Sequence, residues 1–163
     1  MTLVKWLLIA LAVLVLTAVI AGQIGLLRGK APTDLGVRNG MLKAPSTTPN
    51  SVSSQAALHP AHPMRERADI APLPLRGDGP ATLARIEAIV TTMAGATVVT
   101  REPDYLYAQF ETRWMKFVDD TEFWFDAKAG AVQVRSASRL GGKDFEVNRQ
   151  RVEAIRARLV NAP

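Results

Sequence analysis

From Trp6 to Leu27 the chain carries no charge, and Leu, Val, Ile and Ala dominate; Thr17 and Gln23 are the marked polar positions. As a helix, a run of about 22 residues reaches about 33 Å, enough to cross the hydrocarbon core of a bilayer. A helix of that length buried in a protein core would show a polar face. Lys5 and Trp6 flank one end, and Arg28 and Lys30 flank the other. The pattern predicts a transmembrane anchor over residues 1–28, with Trp6 to Leu27 in contact with the lipid bilayer. A cleavable signal peptide competes with it, because Val19 and Ala21 precede a possible cut at Gly22. The apolar run continues through Ile24, Leu26 and Leu27, past the usual signal core, and so favours an uncleaved anchor.

A different periodicity takes over after Pro80. Leu83, Ile86, Val90 and Met93 recur at helical spacing, with Ile89 widening the stripe, and predict a helix over Ala81–Ala94 that stops at Gly95. Alternating stretches rich in Val, Thr, Tyr, Phe and Trp follow. They predict strands over Thr97–Thr100, Tyr105–Thr112, Lys116–Asp126 and Ala131–Ser138. Turns at Pro103-Asp104 and at Ala127–Gly130 are short, which makes the neighbours antiparallel. Val152, Ile155 and Leu159 form the stripe of a last helix over Phe145–Val160, with Asp144 as its N-cap. The fold class expected is α+β: an N-terminal transmembrane helix, then a two-layer sandwich. Its mainly antiparallel four-stranded sheet carries two helices on one face, all within residues 81–163.

Residues 29–80 lack either period. They are rich in Pro, Ser, Thr, Asn and Gly, and composition alone makes them a linker. Asn39-Gly40 signals a turn, and Asn50, Ser51, Ser53, Ser54 and Gln55 offer many local side-chain bonds. Ile70, Leu73 and Leu75 form an extended strip suited to a sheet edge. The segment is therefore expected to be irregular but partly packed on the domain. Its His59 and His62 are the chain's two histidines, and both precede proline. Without a third ligand nearby they predict no metal site.

Composition narrows the chemistry. The chain of 163 residues has a formal net charge of +5 and no cysteine. Disulfides, thiolate metal sites and cysteine nucleophiles are excluded. Basic residues interleave with acids and no nucleic-acid-binding signature appears, so no nucleic acid partner is expected. Charge counting near the anchor (Arg28, Lys30, Arg38 and Lys43 against Lys5) favours a cytoplasmic C-terminal part. A short basic N-terminus before a single anchor is also the usual form of an export signal. The reading adopted is a single-pass inner-membrane protein with a periplasmic domain, with the cytoplasmic side as the alternative.

Polar residues gather between Phe117 and Arg149. If Asp126 faces Ala131, then Trp124 faces Gln133, Glu122 faces Arg135, Asp120 faces Ala137, Phe123 faces Val134 and Thr121 faces Ser136. Alternation then sends Phe123, Phe125, Val132 and Val134 to the helices, and Asp120, Glu122, Trp124, Gln133 and Arg135 to the opposite face. Glu122 and Arg135 are expected to form an exposed cross-strand pair. Asp119, Thr121, Ser136 and Ser138 continue the apolar face where the core runs out. Asn148 lies one turn before Val152 on the same helical stripe, so it needs partners if buried.

Asp119, Glu122, Arg135 and Asn148 are read as a structural polar cluster. Ser136, Ser138, Arg139, Asn148 and Arg149 are read as a candidate anion site, with Gly141-Gly142 and a helix start supplying backbone donors. Asp119 and Asp120 point to opposite faces and cannot act as a carboxylate pair, and no serine has a histidine beside it. No catalytic residue, cofactor or metal is expected.

The blocks VRNGMLKAPSTTPNSVSSQA, IAPLPL, FVDDTEFWFD and VRSASRLGGKDFEVNRQRVEAIR resemble the domain-of-unknown-function family numbered fourteen ninety-nine, over about Asp34 to Leu159. The resemblance implies that Asp34–Gln55 belongs to the domain, and it implies no reaction. Members of that family usually carry a loop cysteine pair. Here those positions are Ala44 and Ser51, so any clip made by that pair is absent and a more mobile loop is expected.

The leading expectation is a non-catalytic binding or accessory protein of the bacterial envelope with a protein partner there. A hydrolase or transferase acting on an anionic envelope molecule is the alternative, resting on Arg135, Ser138, Arg139 and Asn148. A third reading is a structural subunit that uses an aromatic outer face of Trp124 with Tyr105 or Tyr107.

Overall fold

A computed structural model describes residues 2–161. The apolar N-terminal run forms α1, Thr2–Gln23, whose apolar side chains are exposed along most of its length and whose last residues, Gly22 and Gln23, meet the domain. Helix α3, Gly79–Thr91, starts earlier than the apolar stripe suggests because Asp78 caps it: its carboxylate accepts from Ala81 N at 2.7 Å. Helix α4, Val147–Asn161, starts later than expected. Phe145 and Glu146 both have positive φ, 52° and 67°, so the chain cannot enter the helix until they are passed. Asp144 still closes the helix start, accepting from Glu146 N and Asn148 N at 3.1 Å each.

The expected sheet of four strands has five. β2 (Ala96–Arg101), β3 (Tyr105–Glu111), β4 (Val118–Asp126) and β5 (Ala131–Ser138) follow the alternation, and β1 is Ser51–Ser53 from the irregular segment. The strands run in the order β1-β5-β4-β3-β2, with every neighbouring pair antiparallel. A strand of three residues is too short for a period of two to announce itself. The pairing of β4 with β5 is the one deduced, with Glu122 opposite Arg135 and Thr121 opposite Ser136. Leu73 continues the edge begun by β1, exchanging backbone bonds with Val132 at 2.8 and 3.0 Å. A single-turn helix α2, Arg65–Ala68, lies between these two edge pieces.

Helices α3 and α4 cover one face of the sheet. Leu83, Ile86, Val90, Val152, Ile155 and Leu159 meet Leu106, Phe110, Phe123, Val132 and Val134 there, with Val52, Ile70 and Leu73 closing the side. The opposite face is not open. Residues 30–47 lie across it as a strap, and Leu35 and Leu42 pack on Tyr105, Tyr107 and Trp124. Tyr105 and Tyr107 are buried, so the expected aromatic outer surface is an interior contact. The expected exposed pair, Glu122 and Arg135, is likewise buried, because alternation reports a face and not what covers it.

Candidate functional site

Two polar groupings sit back to back across the sheet. On the helix side, Asn148 is fully buried. Its Oδ1 accepts from Ser136 Oγ and Arg151 Nη1, both at 2.6 Å. Its Nδ2 donates to Asn50 O at 3.1 Å, Ser138 Oγ at 3.0 Å and Asp144 Oδ2 at 2.9 Å. Ser136 also bonds Thr121 at 2.8 Å. Arg151 reaches on to Asp119 at 2.6 Å, with its guanidinium 4.4 Å from the Phe110 ring centroid. One amide thereby joins α4, the residue before β1, β5 and the turn before α4, with no polar atom of its own to spare.

On the strap side, Asp120 takes both Arg139 nitrogens, Nε at 2.9 Å and Nη2 at 2.7 Å, and also accepts from the Tyr107 hydroxyl. The Asp120 bond, ahead of an opposing burial effect, raises the Arg139 pKa. Glu122 lies beneath the strap. Its Oε1 accepts from Gly36 N at 2.7 Å and Tyr105 OH at 2.8 Å, while Oε2 is buried without a hydrogen bond. Arg135 Nη1 stands 3.7 Å from that oxygen, an ion pair but not a hydrogen bond. Burial pushes the Glu122 carboxyl up, against the Gly36 amide, Arg135 and Tyr105. Burial pushes Arg135 down, against the Glu122 charge. Burial also raises Tyr105, reinforced by Glu122.

Between strap and sheet runs a cleft of about 650 Å³, lined among others by Lys30, Asp34, Lys43, Thr47, Arg135 and Arg139. Lys43 pairs with Asp34 at 2.7 Å, and this bond is the first cause of the lowered Asp34 pKa. The Ser51 hydroxyl accepts from Ser46 N at 2.8 Å and so ties the strap where the resemblance places a cysteine.

The structure does not bring the five residues of the expected anion site together. Ser136, Ser138 and Asn148 meet on the helix side and bond one another. Arg139 is on the strap side, because the alternation of β5 carries on past Ser138. Arg149 lies outside both groups, donating to the carbonyls of Arg67 and Asp69 at 2.6 and 2.9 Å. In the expected polar cluster, Asp119 and Asn148 share the helix side through Arg151, while Glu122 and Arg135 belong to the other face. Arg151 was missed as a participant, although it stands three residues after Asn148 and hence on the same helix face. Asn50, Tyr105 and Tyr107 carried no sequence signal for their roles. His62 Nδ1 accepts from Met64 N at 3.2 Å, and no group of three His, Asp or Glu able to hold a metal occurs among the described residues.

These features define an α+β domain with an apolar N-terminal helix, whose sheet has one face under helices and the other under an irregular strap. The family described as "Protein of unknown function (DUF1499)" matches residues 41–159, and the chain belongs to it. No curated protein and no solved structure matches the chain.

Proposed function

We propose that the protein is a non-catalytic binding domain of the bacterial envelope, anchored in the inner membrane by α1 with its folded part in the periplasm. The observation that carries the anchor is α1 itself, an unbroken apolar helix of 22 residues whose end is seated on the domain. Gln23 Nε2 donates to the carbonyls of Arg113 and Trp114, at 3.3 and 2.9 Å. Gly22 abuts the same turn so closely that a Cβ there would lie 2.6 Å from Met115 O. Arg28 pairs with Glu111 at 2.9 Å. Helix α1 runs without a break across the possible cut before Gly22, and these contacts, on the far side of that cut, seat the end of the helix on the domain. The α1 window of mean hydropathy 2.7 has none of its residues buried, which suits lipid as its surroundings.

The non-catalytic reading rests on saturation. The Asn148 group spends its donors and acceptors within the fold, and Asp120 is fully engaged by Arg139 and Tyr107. Membrane fractionation tests the proposal. The full-length mass is expected in carbonate-washed inner membranes, with the domain digested by protease in spheroplasts but not in intact cells. A soluble product beginning near Gly22 overturns the anchor, and protection in spheroplasts overturns the periplasmic placement.

A further inference from the structure

We infer that the cleft between the strap and the sheet is a binding site for a phosphate-type oxyanion, held by Arg135 and Lys30. Arg135 is 4% exposed, yet it lines the cleft wall. Its Nε donates to Ala44 O at 3.2 Å. Neither terminal nitrogen makes a hydrogen bond among the described residues, and the nearest carboxylate oxygen stops at 3.7 Å. A buried guanidinium is normally surrounded by acceptors, since each unmet donor carries a desolvation cost. Here the unmet donors border a cavity of ligand size.

The charges around the cleft point the same way. Arg139 is neutralised by Asp120, and Lys43 by Asp34. Glu122 meets Arg135 only across 3.7 Å, and its Oε1 is held by Gly36 and Tyr105. Lys30, at the mouth, has no ion-pair partner among the described residues. Two cations with donors to spare suit a planar or tetrahedral oxyanion, which a guanidinium can grip with two parallel bonds. Thr33, Ser46 and Thr47 add hydroxyls to the lining.

The site also has a definite position. Arg135, Ala137 and Arg139 lie toward the end of β5 that meets the strap just after α1, and a Cβ at Gly29 would lie 2.7 Å from Arg139 Cβ. If α1 spans the membrane, the cleft opens near the plane of lipid phosphates. The oxyanion could therefore be a soluble phosphate or a lipid headgroup. Only the lipid source rests on the anchor proposed above.

The test is titration calorimetry of the full chain with inorganic phosphate, first in dodecyl maltoside, which contains no phosphate, and then in phospholipid nanodiscs. Saturable binding is expected in detergent. Arg135→Lys, which keeps a cation beside Glu122, is expected to weaken it about tenfold or more, because the two-bond grip is lost. Lys30→Glu, at an exposed position outside the core, is expected to weaken it at least as much, and Lys128→Gln in the β4–β5 turn to leave it unchanged. Should Arg135→Lys fail to fold, Lys30→Glu decides. No binding in detergent, or binding indifferent to both variants, overturns the site whether or not α1 anchors the protein. With the site established, affinity unchanged in nanodiscs assigns a soluble ligand, and a fall of about tenfold or more assigns a competing headgroup.

Discussion

Asn148→Ala is the perturbation whose cost can be worked most fully. The amide makes five side-chain hydrogen bonds to Ser136, Arg151, Asn50, Ser138 and Asp144. Most partners have a second bond to fall back on. Ser136 keeps Thr121, Arg151 keeps Asp119, the Asn50 carbonyl keeps Ser138 N, and Asp144 keeps the amides of Glu146 and Asn148. Ser138 Oγ loses its donor. The loss is therefore chiefly that of net bonds, two of them to charged groups, with Ser138 Oγ, on a half-buried residue, the one partner left without a bond. Single neutral bonds contribute about 1 kcal/mol and charged ones about 1.5–3, but bonds within one network do not add, so the expected cost is about 2–4 kcal/mol. Urea unfolding of the full chain in dodecyl maltoside, followed by tryptophan fluorescence, is the assay. With a slope of about 1–3 kcal/mol per molar urea, the midpoint should fall by about 1–2 M. Asn148→Asp should cost more than alanine at neutral pH, because a new oxygen would face Asn50 O and Asp144 Oδ2 where a donor stood. A loss below about 0.5 kcal/mol for alanine would refute the reasoning, since it would mean that water replaces every bond without penalty.

Three further outcomes follow from the structure. Gly95 has φ of 73°, and a Cβ there would lie 2.1 Å from Glu111 O, so Gly95→Ala should cost about 2–4 kcal/mol; Gly130, at φ 59° with open space around it, should cost only about 1. Equal midpoints for the two variants in the urea assay would show that the close approach is relieved freely. Glu122 has a pKa raised chiefly by burial, so its proton is held more tightly in the folded chain. Its stability contribution is complete below the unfolded value of about 4.3 and lost as pH rises through the folded value, a loss that Glu122→Gln should abolish; a variant that keeps the full difference in stability between acidic and neutral pH sinks this assignment. Gly22→Leu should free α1 from the Arg113–Met115 turn, seen as faster amide exchange and proteolysis at that turn, and unchanged exchange would place the joint elsewhere.

Much of the sheet was legible because two-residue alternation and short turns constrain one another. Once Asp126 is set opposite Ala131, the pairing of β4 with β5 follows down to Thr121 and Ser136. The helical stripes of α3 and α4 were legible through their own period of about 3.6 residues, and the spacing that placed Asn148 on the core face was correct. What escaped has no period. Residues 30–47 cover the second face through irregular chain, so the side chains beneath them read as surface. Glu122 and Arg135 changed from a solvated pair to a buried one on that account alone. Arg139 shows a different failure: it was grouped with Ser138 by nearness in sequence, although adjacent strand residues part company.

The three residues of β1 matter beyond their size. They and Leu73 occupy the outer hydrogen-bonding edge of β5, a strand with Val132 and Val134 on its buried face. A fragment that begins at Asp78, which keeps all four long strands, both large helices and the cap of α3, would present that edge bare. Such an edge is a template for another chain. The fragment should self-associate by strand addition, and a synthetic peptide spanning Asn50–Ser54 should compete with it. The serine-rich stretch that composition assigns to a tether is, in that sense, the cap on one edge of the sheet.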